Sequence, residues 1–165
     1  METNIGELIQ ILEQELLLHE RLLVSALSMN KALKCEAIEE VRKANKEYDE
    51  CTCRIEAIEE KRLCLNDVIS RHYGLTAHAN LSRVIESVPA GDRGKLPELH
   101  AALRKTLGEI HKTNESNRIL LTESLFVIAK TFEFISAACE KFRGYKQLGE
   151  KCSSKIDRTI INTIA

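Results

Sequence analysis

Cys51 and Cys53, with Cys64 and His72 downstream, are side chains with the chemistry to hold a zinc ion. Their spacing argues against it. CTC, 51–53, lies in a helical pattern, and residues two apart on a helix point about 200° apart, so Cys51 and Cys53 cannot face one ion. Zinc motifs place paired cysteines on turns instead. Cys51 reads as a small core residue and Cys53 as a surface thiol; neither a metal nor a cofactor is expected. His100 and His111 share a face but stand about three turns, ~16 Å, apart. His72 and His78 flank a glycine and read as surface histidines, and His19 as a core or boundary one. GDRGK, 91–95, lacks the G-x-x-x-x-G-K-[ST] spacing of a phosphate loop. Catalysis needs a concave site with convergent groups of shifted pKa. Long leucine-seamed rods supply few such hollows, so no enzyme is expected.

Other polar residues fall on seams that are otherwise aliphatic. Counting by threes and fours gives Leu107, Ile110, Asn114, Asn117 and Leu121. A buried amide left unpaired costs roughly 1–3 kcal/mol. Two of them therefore penalise a slipped alignment and fix register. The same pair also stands where the helix changes from one apolar face to a broad one, and so marks where partner binding would begin. Arg62 falls on a second seam, either with its stem along apolar surface or in a register-setting ion pair.

The elements that must position these residues are long. The chain has 165 residues, with 30% charged, 44% apolar, two prolines and seven glycines. Ile5, Ile9, Leu12, Leu16, His19, Leu23, Ala26, Asn30 and Leu33 predict a helix over about 5–33, with Leu8, Leu18 and Leu22 widening its stripe toward two neighbours. The same step from Ala37 to His72 predicts a second helix of about 36 residues, or ~54 Å, with the reversal near 31–36. Residues 73–98 break the pattern. Within them Leu81, Val84, Ile85 and Val88 predict a short helix with Asn80 as N-cap, and Pro97 suits the first turn of the next one. A third long helix is expected over about 97–142, with Leu99, Leu103 and Leu107 leading its seam.

A repeat near 3.5 residues with short connections implies an all-α protein, an antiparallel three-helix bundle of coiled-coil type. A short extra helix and an amphipathic C-terminal tail helix complete it. The bundle is expected over 1–143 and the tail over 144–165. There Ile156, Ile160, Ile161 and Ile164 share one face. All four phenylalanines fall between 126 and 142, so the second half of the third helix is apolar over a wide arc.

Several function classes are excluded on this basis. A net charge of −1 without a basic stripe speaks against nucleic acid. The longest apolar runs, such as LFVIA at 125–129, are far short of the roughly 20 residues that span a membrane. METNIGELIQ carries no basic n-region of a signal peptide. Six cysteines then read as thiols of a reducing cytoplasm.

IHKTNESNRILLTESL, 110–125, resembles the N-x-x-N-x-x-L-L pattern in the last long helix of FlgN-like flagellar export chaperones. IEAIEEKR, 55–62, resembles that family's apolar-x-x-apolar-E-x-x-R stretch, and TAHANLSRVIESV, 76–88, its short helix. The resemblance covers about residues 5–149. It implies a cytoplasmic chaperone that binds the C-terminal segments of the hook–filament junction proteins FlgK and FlgL and hands them to the export gate protein FlhA. It also implies a gate-docking tyrosine, here Tyr145, followed by Gly149.

The client site is expected at Asn114, Asn117, Leu121, Leu125, Phe126, Ile128, Phe132, Ile135 and Phe142. An amphipathic client segment needs an apolar groove, and one seam suffices to close the bundle. Without a client, Ile156, Ile160, Ile161 and Ile164 are expected on the same arc or on a neighbouring molecule, a route to self-association. The alternative is a generic coiled-coil adaptor that self-associates through these residues.

Overall fold

A computed structural model describes residues 2–76 and 79–143, and every regular element among them is helical. They are α1 (Glu2–Lys34), α2 (Ile38–His72), α3 (Leu81–Ser87) and α4 (Leu96–Arg143). The chain divides into a first unit, Met1–Leu121, and a second that begins at Thr122.

The turn between α1 and α2 needs no glycine. The Ala37 N–H donates to the Ala32 carbonyl at 3.0 Å and that of Glu36 to Leu33 at 3.2 Å. This nested pair satisfies the orphan carbonyls of a helix end and requires a left-handed residue between them. Glu36 takes that role at φ 54°. The end of α2 repeats the motif with the residue best suited to it. Leu75 donates to Ser70 at 2.9 Å and Gly74 to Arg71 at 3.3 Å, with Gly74 at φ 68°. A side chain in this conformation costs about 1–2 kcal/mol, part of which glycine returns through unfolded-chain entropy. Glu36→Gly is therefore expected to raise stability by about 0.5 kcal/mol, read as a higher urea midpoint; a lower midpoint would count against the strain.

α3 is capped as its sequence predicts: the Asn80 side chain accepts from the Arg83 N–H at 2.9 Å. Its far end is closed by Arg93, which donates from Nε to the Val88 carbonyl and from a terminal nitrogen to that of Glu86, both at 2.7 Å. Pro97 sits in the first turn of α4.

Within the first unit, α2 runs antiparallel to α1 and to the first part of α4. Ser25 on α1 donates to the Ala44 carbonyl of α2, Asn114 on α4 to Tyr48 of α2. The interior is layered. One apolar cluster joins Leu8 and Leu12 of α1, Ile69 of α2, Val84 of α3 and Leu99 and Leu103 of α4. A second joins Leu18, Leu22, Cys51, Ile55 and Ile110. The α4 seam passes through buried Thr106 rather than Leu107, which is 45% exposed. A 3.5-residue repeat lets Leu103 be followed at either three or four residues, and only packing selects three.

Glu15, His19 and Arg62 lie along the same two helices. Arg62 Nε stands 3.0 Å from Glu15 Oε2, with both side chains largely withdrawn from water, although neither atom makes an aligned hydrogen bond. A second arm of Arg62 reaches Glu59 at 3.0 Å. His19 Nδ1 donates to the Glu15 carbonyl at 2.8 Å. Burial pushes the Glu15 carboxyl above its ordinary pKa, while the Arg62 and His19 charges pull it down. Arg62 thus sits in the register-setting ion pair, and its acid partner on α1 was not legible from the heptad pattern.

Candidate functional site

The two asparagines belong to the first unit. Asn117 is 4% exposed. Its amide nitrogen donates to the Ala26 carbonyl at 3.0 Å, and its oxygen accepts from Asn30 Nδ2 at 2.8 Å. Asn30 also donates to Ser116 Oγ at 3.0 Å. Asn114 Nδ2 donates to the Tyr48 hydroxyl at 2.7 Å. One carboxamide is thus tied to α1 and the other to α2, so a slip of α4 would break four hydrogen bonds together. This is the register lock that the spacing predicts.

The apolar residues beyond them behave differently. Every residue from Leu121 to Ala137 is exposed. Leu125 is 65% exposed and Phe132 66%. Phe126, Ile128 and Ile135 are also open to solvent, and Leu121 is exposed at the end of the first unit. Val127 and Phe134 join them. Neither is among the candidates that the seam and its flanking stripe offer. Plotting all apolar residues of 121–137 by angle would have found them: at 100° per residue they surround the helix.

A helix apolar all round is the kind that other chain covers. Val127, Ile128, Thr131, Phe132 and Ile135 line a depression of about 240 Å³ on the second unit. Lys130 Nζ lies 5.8 Å from the centre of the Phe126 ring and pairs with Glu133 at 2.7 Å, so the polar groups here engage one another at the rim. Such a surface can bind an amphipathic segment by burial of apolar area. It holds no convergent nucleophile, acid and base.

The structure therefore brings Leu125, Phe126, Ile128, Phe132 and Ile135 onto one stretch of α4 and places Asn114 and Asn117 among bundle contacts. The Phe142 side chain, Tyr145, Gly149, Ile156, Ile160, Ile161 and Ile164 lie outside the described residues. Cys51 is buried and Cys53 exposed, as their angular separation requires. Among the described residues no group of three His, Cys, Asp or Glu side chains is placed to hold a metal ion, and no helix is long and apolar enough to cross a membrane.

Residues 1–151 match the family described as FlgN protein. No curated protein and no solved structure matches the chain.

Proposed function

The chain belongs to the FlgN family of flagellar export chaperones, and on that premise we propose that it binds the C-terminal segments of hook–filament junction proteins, FlgK and FlgL, through the apolar stretch of α4. The reading places this work in the cytoplasm, before export. The observation that carries it is the unbroken exposure from Leu121 to Ala137 on a helix whose preceding turns are packed.

A disordered amphipathic client that folds on binding loses ordering entropy, which apolar burial must offset. Leu125, Ile128, Phe132 and Ile135 recur at the three- and four-residue spacing that an incoming helix reads as anchors. Covering them also keeps the client's own apolar segment from associating early. The reading extends to Tyr145 and Gly149 as the contact for FlhA.

The test is calorimetric titration of the chain with the C-terminal segments of FlgK and FlgL. One-to-one binding is expected, and Leu125→Asp or Phe132→Asp should weaken it at least tenfold, about 1.4 kcal/mol, with an unchanged urea midpoint. Tyr145→Ala should leave client affinity alone and reduce capture by the cytoplasmic domain of FlhA. Full client affinity in both aspartate variants would remove α4 as the site. Binding of folded partners only, or self-association through the same residues, would favour an adaptor.

A further inference from the structure

We propose that the client occupies α4 as a helical hairpin, two antiparallel helices joined by a short turn, rather than as one helix. The proposal rests on the client reading and specifies the shape such a partner must have.

The width of the apolar arc carries it. Successive residues of an α-helix point about 100° apart. In the first unit, around Ile110, α4 packs against two helices, α1 and α2. From Thr106 to Leu120 its buried and half-buried positions all fall within an arc of about 160°. Ser116 marks one edge of that arc and accepts from Asn30 of α1. Asn114 marks the other and donates to Tyr48 of α2. An arc of this width is therefore what two neighbouring helices cover on this helix. A single partner meets only the narrow a/d seam of a coiled coil.

The second unit presents an arc at least as wide, and in water. Its exposed large hydrophobics run from Phe134 and Val127 at one edge, through Ile135 and Ile128, to Phe132 and Leu125 at the other. Together they span about 180°. Glu123, Lys130 and Glu133 lie in the remaining half, with Phe126 among them. Phe134 and Leu125 thus point in opposite directions, 76% and 65% exposed. One helix laid on Phe134 leaves Leu125 in water, and the reverse holds as well. Two helices side by side cover both and meet above the depression that Ile128 and Thr131 help to line.

The size of the partner follows. Residues 121–135 extend ~21 Å along the axis, which about 15 residues of helix match. Two such helices and a turn of roughly two to five residues make a client segment of about 35 residues. A connection that short sets the two helices antiparallel. Each carries one apolar stripe, toward α4 and toward its companion, and polar residues outside.

The experiment mixes the full chain with the C-terminal segment of FlgK, about 35 residues long, carrying a spin label at each end. Pulsed dipolar spectroscopy reads the separation of the labels in the complex. A hairpin brings the two ends to neighbouring-helix distance, below about 25 Å with the label arms included, whereas one continuous helix holds them ~50 Å apart. The short separation is expected, at one segment per chain. Leu125→Asp and Phe134→Asp should each weaken binding at least tenfold with an unchanged urea midpoint, because the two edges hold different helices. A segment half as long should bind at least tenfold more weakly than the whole.

A separation near 50 Å, a loss confined to one of the two variants, or equal affinity of the half-length segment would overturn the hairpin. Two segments bound per chain would overturn it in favour of two client molecules. A dimer of the chain alone in sedimentation, dissociated by either variant, would give the face to a second copy. If the FlgK segment binds as one helix, the client reading stands and the hairpin falls. If neither the FlgK nor the FlgL segment binds the parent chain, both fall.

Discussion

Leu12→Ala is expected to cost about 2–5 kcal/mol of folding stability, whereas Leu125→Ala should change it by less than about 0.5 kcal/mol. The two residues are identical in chemistry and both lie on apolar stripes. Leu12 is 0% exposed and packs among Leu8, Ile69, Val84 and Leu99. Truncating it removes transfer free energy and leaves a cavity that three helices and a short fourth cannot all close upon. Leu125 is 65% exposed, so truncation removes little that folding had buried. Urea denaturation of both variants, with matched slopes, measures the difference. Comparable losses at the two positions would mean that the face offered to the client is in fact core.

Arg62→Met is expected to cost about 3 kcal/mol at neutral pH, the lower end of what removing one member of a buried pair does. The loss has little to do with the attraction itself. Glu15 keeps its withdrawn carboxylate, and with Arg62 gone only His19 opposes the desolvation that already raises its pKa. The sign of the pH dependence follows. A carboxyl whose folded pKa is raised binds its proton more tightly when folded than when unfolded. Its cost is therefore largest above the folded pKa and is relieved as the pH falls through that value toward the ordinary 4.5.

The Arg62→Met penalty should shrink over the same window, and the double variant Glu15→Met, Arg62→Met should recover most of the loss at all pH values. Urea midpoints measured from pH 7 down to pH 5 read this directly. A penalty that stays constant with pH, or a double variant as unstable as the single one, would remove the buried carboxylate as the cause.

These expectations separate what could be read along the chain from what could not. The long helices, the Asn80 cap and the place of Pro97 follow from local rules, because apolar period, side-chain capping and the missing proline N–H act within one or two turns; the reversal near 31–36 follows instead from chain length, since a single rod of roughly 70 residues would have little to pack against. The role of Glu36 was not readable, since a left-handed glutamate is tolerated only where the flanking hydrogen bonds impose it. Likewise the choice of Thr106 over Leu107 turns on the angle at which α4 meets its neighbours, and a 3.5-residue repeat leaves that open.

The site divides along the same line. The excess of apolar residues after 120 and the asparagine pair before it were visible as composition and spacing. Which residues close the bundle and which stay in water was a question of area: three helices can bury only so many faces, and no local pattern records which faces are used. Sequence by itself determined a helical, register-locked chain with more apolar surface than one seam requires. Only the tertiary structure assigned Asn114 and Asn117 to bundle hydrogen bonds, matched Arg62 with Glu15, and left Leu125 and Phe132 exposed, because burial is settled between elements distant along the chain.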